Sequence, residues 1–205
     1  MFKDTLVEAL YGVWPMIVIF TVILSSIRIA FLLKRKNKFV FYREICSLFF
    51  IIYILILFYV VTFQDVNYGE SNFMPFREMF RYDIGSKLFM HNIVGNLLLF
   101  VPFGLFVSYY LRSKGPFIII ILSFISSLAI EITQYKIGRV FDVDDVILNI
   151  IGGFLGYLLY VIIDSVTKQF PKFLRQAWFL NLICLILLIS VIIYLFGLEQ
   201  FWVGL

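Results

Sequence analysis

The sequence predicts an all-α protein: a polytopic transmembrane helical bundle of about six helices, with a short interfacial helix in its long outer loop. Three observations carry this expectation. The 205 residues are 62% hydrophobic and only 15% charged, with mean hydropathy +1.01, whereas a soluble domain is nearer half apolar and a quarter charged. Apolar runs recur at about the length, roughly 20 residues, that a helix needs to cross a bilayer. Those runs are continuous and lack the alternation of a barrel strand, and lipid tolerates only helices or closed barrels.

The first run covers residues 10–33. It is too long for a signal peptide and lacks a basic leader and a small-residue cleavage site, so it reads as a retained helix. The second run covers 45–63, after the basic stretch KRKNK. The loop 64–91 follows, with NFMPFREMFRYDIGSKLF at its centre. Here Phe76, Met79, Phe80 and Leu88 suit lipid while Arg77, Glu78 and Arg81 suit polar groups. This pattern predicts the interfacial helix, with Pro75 in its first turn; an ordinary amphipathic connector is the competing reading. The third run, 92–111, places Asn92 and Asn96 on one face and contains Pro102 and Gly104, where a kink can form. The fourth, 117–134, ends with Glu131 and Gln134 on a shared face. The fifth, 146–163, is opened by Asp144 and Asp145, either of which suits a helix N-cap. The sixth is 178–196. No repeat, low-complexity tract or dividing linker interrupts the chain, so residues 1–205 read as one transmembrane domain.

Basic residues orient the bundle, because cytoplasmic loops collect Lys and Arg. One set of loops holds Lys34, Arg35, Lys36, Lys38, Arg43, Arg112, Lys114, Lys168, Lys172 and Arg175. The other holds Lys3, Arg77, Arg81, Lys87, Lys136 and Arg139. The first set is richer and is expected inside. Both termini, the 64–91 loop and the acidic loop 136–145 are then extracytoplasmic.

Several function classes lose support. The net charge of +4 is scattered over membrane loops and forms no basic face, so no nucleic-acid partner is expected. Cys46 and Cys184 stand in or beside apolar runs outside any CxxC pair and read as small apolar residues. The single histidine, His91, at the mouth of the third helix, cannot build a zinc site alone.

The informative residues are polar groups that are costly to bury in lipid, roughly 2.5–3.5 kcal/mol for a mid-helix charge. A carboxylate near a helix C-terminus opposes the dipole, so Glu131 calls for a cation, and Arg139 or Lys136 could supply it. Asp145, Asn149, Gly152 and Gly156 form one stripe, with the glycines as a small-xxx-small pair for close helix packing, and Asn149 suits an interhelical hydrogen bond. Asn72, Arg77, His91, Asn96, Glu131, Gln134, Arg139, Asp142, Asp145 and Asn149 all belong to the outer half. They read either as the rim of an outward-facing polar pocket or as an ion-pair network that locks the helices.

NFMPF at 72–76, NIVGNLLLFVPFG at 92–104, EITQ at 131–134 and GRVFDVDDVILNIIGGFLGY at 138–157 together resemble the VanZ-like family of bacterial membrane proteins. The resemblance covers about residues 72–160, leaving the first two helices and the last outside it. It marks Asn72, Pro75, Phe76, Asn96, Pro102, Gly104, Glu131, Gln134, Arg139, Asp142, Asp145, Asn149, Gly152 and Gly156. It implies a bacterial cell-envelope protein in the plasma membrane. The family is named for a member linked to resistance to glycopeptide antibiotics, teicoplanin in particular, which is a phenotype class rather than a reaction.

Two main functions are compatible with these residues, and a third is open. In the first, the pocket binds a membrane lipid, a lipid-linked cell-wall precursor or a lipoglycopeptide, without cofactor or turnover. Arg77, Arg81 and Arg139 would then meet phosphate or carboxylate. In the second, Glu131, Asp142 and Asp145 hold a divalent cation against a lipid-linked phosphate. No Ser/His or Cys/His pair presents a nucleophile, which weighs against an enzyme. The third is a transporter using Glu131 and Asn96, although no inverted repeat is visible. A homo-oligomer could form through the Gly152/Gly156 face.

Overall fold

The computed structural model describes residues 2–35, 40–63 and 71–195. They form helices α1 (Phe2–Arg35), α2 (Phe41–Phe63), α3 (Lys87–Leu111), α4 (Phe117–Lys136), α5 (Val143–Gln169) and α6 (Ala177–Leu195), with no strand among the described residues. Helices α1 to α5 are long and apolar enough to cross a membrane, and α6 is apolar from Ala177 to Ser190 within the described residues. The helical membrane bundle expected from composition is therefore the architecture observed. Lys36, Lys38 and loop residues 64–70 lie outside the described residues, as do the side chains of Lys3, Lys34 and Arg35.

The chain divides into two compact units. The first comprises Met1–Trp14 and Tyr53–Ser165. Its centre is small and partly polar. Along α4, Ile119, Ser123, Ser127 and Glu131 recur every four residues and are all buried. Glycines bring α5 against its neighbours. A Cβ on Gly104 of α3 would stand 2.0 Å from the Gly153 carbonyl oxygen, one on Gly156 2.2 Å from that of Val101, and one on Gly152 2.1 Å from that of Leu97. Gly153 meets α4 as well, where a Cβ would lie 2.0 Å from Ser123 Oγ. In lipid no hydrophobic effect drives helices together, so close backbone packing of this kind carries the association. The Gly152/Gly156 pair read from the sequence faces α3, and Gly153 between them extends the contact to α4.

Helix α4 ends in a Schellman motif. Gly138 takes φ +91°, a conformation that a side chain disfavours. Its N–H donates to Tyr135 and that of Arg139 to Gln134, at 3.2 and 3.0 Å. The chain thereby reverses above the last turn of α4 and delivers residues 139–142 back toward Glu131.

The interfacial helix expected around Pro75 is not formed: residues 75–81 make consecutive turns. Two local facts explain this. Phe76 sits at φ 68°, incompatible with a right-handed helix, and the Phe76, Glu78 and Met79 N–H groups are taken by a side chain from α5. Helix α3 then starts at a Ser86 cap, whose hydroxyl accepts from the Phe89 N–H at 3.1 Å. Its residues Met90–Val94 form a π turn.

The second unit comprises Pro15–Ile52 and Val166–Leu205. Arg28, a charge within the apolar part of α1, is held by both oxygens of Glu44 on α2 at 2.9 Å. The Tyr42 N–H donates to Asn181 Oδ1 of α6 at 3.0 Å. The fork geometry makes this Arg–Glu pair specific. Glu44→Ala is expected to lower membrane yield several-fold by leaving Arg28 unpaired in the apolar layer. The swapped pair Arg28→Glu/Glu44→Arg is expected to restore it, and quantitative immunoblotting of membranes checks both. Cys46 and Cys184 are free thiols, partly rather than fully buried.

Candidate functional site

The loop ends of α3, α4 and α5 carry the charges that the sequence places between apolar runs. The segments NFMPF and FDVDD, seventy positions apart, meet in a single parallel β-bridge at Asn72 and Asp142. The Asn72 N–H donates to the Phe141 carbonyl at 2.8 Å, and the Val143 N–H to that of Asn72 at 3.1 Å. The Asn72 side chain reinforces the joint: its amide donates to Asp142 Oδ1 at 3.0 Å and its oxygen accepts from the Met74 N–H at 3.1 Å. Phe73 and Phe141 stack across it at 5.4 Å.

Each carboxylate at this joint has a distinct partner. Asp142, the last residue before α5, is its N-cap and accepts from the Asp144 N–H at 2.9 Å. The cap expected at Asp144 or Asp145 thus falls earlier, because those two already lie inside the first turn. Burial pushes the Asp142 carboxyl above its usual range; the Asp144 N–H and the Asn72 amide oppose this, and the charges of Asp144 and Glu78 add to it. Asp144 is 1% exposed and turns away from α5 toward the loop. Its oxygens accept from the backbone N–H groups of Phe76, Glu78 (2.7 Å) and Met79 (3.1 Å). It is an anchor for the loop.

Asp145 accepts from the Asn96 side-chain amide of α3. It shares its surroundings with Glu131, Asp142 and Arg139, all within electrostatic reach. Glu131, 2% exposed, accepts from the Asp142 N–H at 3.1 Å. The cation expected beside it is not in contact. Among the described residues no ion pair within 4.0 Å involves Glu131, Asp142 or Asp145. Arg139 instead donates to the Val61 carbonyl of α2 at 2.9 Å, where Gln134 also donates at 3.2 Å. That carbonyl is a competitor for the guanidinium that sequence spacing does not reveal.

One turn below Asp145, the Asn149 amide donates to Ser127 Oγ of α4 at 2.8 Å, the interhelical bond expected of it. The Asn149 side-chain oxygen and Ser123 Oγ, both buried, have no hydrogen-bond partner among the described residues. Arg77 is exposed on the loop and is not brought to the carboxylates. His91 is exposed and its ring meets the neighbouring Asn92 at 3.0 Å. The structure therefore gathers Asn72, Asn96, Glu131, Asp142, Asp145 and Asn149, with Gln134 of α4 and Arg139 beyond it turned to the Val61 carbonyl of α2. Asp144, which the sequence offers only as a helix cap, completes the cluster with Ser127 and Val61, which were not among the sequence candidates. Among the described residues no group of three or more His, Cys, Asp or Glu side chains is placed to hold a metal ion.

A family model described as VanZ/LLP1 matches residues 49–164. This chain belongs to the VanZ-like family. The VanZ-like segment reaches back into α2 and so includes Val61, the shared acceptor of Gln134 and Arg139. Protein VanZ of Enterococcus faecium is 33% identical over 99 residues, covering 47% of this chain and 60% of that relative. The match thus spans less than two thirds of the relative's length. No solved structure matches the chain.

Proposed function

We propose that this VanZ-like chain is a bacterial plasma-membrane protein whose polar cluster, at the loop ends of α3, α4 and α5, binds the head of an amphiphile. The candidates are a membrane lipid, a lipid-linked cell-wall precursor or a glycopeptide antibiotic of the teicoplanin type. The observation that carries this reading is the pair Glu131 and Asp145. Glu131 is 2% exposed and Asp145 is partly buried, each accepts one hydrogen bond, and neither has an ion-pair partner among the described residues. A shielded carboxylate without a counter-charge is costly, and a ligand bearing donors or an amine would relieve that cost. Arg77, at the exposed face of the loop, would take the phosphate or carboxylate of the same ligand, while Arg81 is paired with Glu78 at 3.1 Å.

The test is phenotype at matched abundance. Glu131→Gln and Asp145→Asn keep shape and hydrogen-bonding capacity, so both are expected to reach the membrane at parental level. They are expected to lose most of any teicoplanin tolerance that the parent confers, and at least tenfold of its affinity for teicoplanin or for a polyprenyl-pyrophosphate lipid. Full tolerance and affinity in folded variants would refute the reading. The basic-residue bias supports an extracytoplasmic position for loop 136–145. With Cys46 and Cys184 replaced, a cysteine at the exposed Lys136 is expected to react with an impermeant thiol reagent on intact cells. Reaction only after lysis would place the cluster in the cytoplasm.

A further inference from the structure

The segment 73–88, a loop with the first two residues of α3, presents apolar side chains to its surroundings although nearly all of it lies between elements. Phe80 is 85% exposed and Ile84 91%, and Phe73, Met74 and Leu88 are also mostly exposed. A water-facing loop rarely displays a group of that size. The loop cannot retract it, because its backbone is fixed at two places: the Asn72–Asp142 bridge and the three N–H groups held by Asp144. Its level is set as well. It starts where it joins the first residues of α5 and ends at Lys87, the first residue of α3, and both helices are candidate membrane spans. Arg81 and Lys87 are exposed among the apolar groups, and the long stems of such side chains let them reach a headgroup layer from an apolar surface.

We infer that residues 73–88 are a membrane-surface element. The apolar side chains enter the acyl boundary of one leaflet, and Arg81 and Lys87 sit at the level of the lipid phosphates. This does not depend on what the carboxylate cluster binds. It also accounts for an amphipathic surface segment without a helix: the side chains are splayed by turns that Asp144 holds, rather than by helical periodicity.

Site-directed spin labelling tests it. With Cys46 and Cys184 replaced by alanine, nitroxides are placed singly at Phe80, Asp83, Ile84 and Leu88 in vesicles of phosphatidylethanolamine and phosphatidylglycerol. At Phe80, Ile84 and Leu88, collision with dissolved oxygen is expected to exceed collision with a water-soluble nickel chelate several-fold, and at Asp83 the order should reverse. Labels at Phe80 and Ile84 as open to the chelate as the one at Asp83 would overturn the inference. The unsubstituted chain gives an independent reading. Met74, 66% exposed, should be oxidised by dilute peroxide in vesicles no faster than Met16 in α1. Oxidation at the rate of free methionine would equally overturn it.

Discussion

Asp144→Asn is expected to destabilise the VanZ-like unit by about 2–4 kcal/mol, the cost of losing one or two hydrogen bonds to a buried charged acceptor. The wild-type carboxylate accepts three backbone donors from one loop, with one oxygen on Phe76 and the other on Glu78 and Met79. An amide offers a single oxygen. Its NH2 group would face at least one of those N–H groups, donor against donor, at a position only 1% exposed. Asp144→Ala removes all three acceptor contacts and is expected to cost more. Melting of the purified protein in detergent, followed by loss of the monodisperse size-exclusion peak, measures the change. A variant that melts within a degree of the parent would show that the loop is held by other contacts.

The second large effect is expected at Gly104. Alanine there would place Cβ 2.0 Å from the Gly153 oxygen and 2.7 Å from its carbonyl carbon. Both obstacles are backbone, so no rotamer relieves the clash and α3 and α5 must separate. Overpacking usually costs about 1–3 kcal/mol, and a backbone-to-backbone collision belongs at or above the top of that range. Separation would also stretch the Asn96–Asp145 bond on the same pair of helices. Gly104→Ala should therefore lower both the melting temperature and ligand affinity. Gly115→Ala is the control: a Cβ there meets nothing within 4 Å, so its melting curve should overlay the parent's.

The helices were legible in the sequence because lipid imposes a simple length and composition rule on them. The Asp145–Asn149–Gly152–Gly156 stripe was legible for the same reason that any helical face is, through regular spacing. Asp144 was not. Its partners are backbone N–H groups of a loop some seventy positions away, and backbone donors leave no mark in composition or periodicity. Arg139 misled for a related reason: charge suggested a carboxylate, but its acceptor is the backbone carbonyl of Val61 in α2. Segment 73–88 mixes apolar and charged side chains in plain view of the sequence, yet its left-handed Phe76 and its hold on Asp144 are tertiary facts.

The bridge between Asn72 and Asp142 also bears on biogenesis. Its two halves are separated by all of α3 and α4, so a ribosome-bound chain emerging in order cannot close it until both helices have left the translocon and α5 has begun. Nascent chains truncated before residue 144 should therefore carry an undocked, protease-sensitive 73–88 segment even when α3 and α4 are already inserted. Docking of that loop would be a late checkpoint in assembly, reporting that the core of the unit is complete.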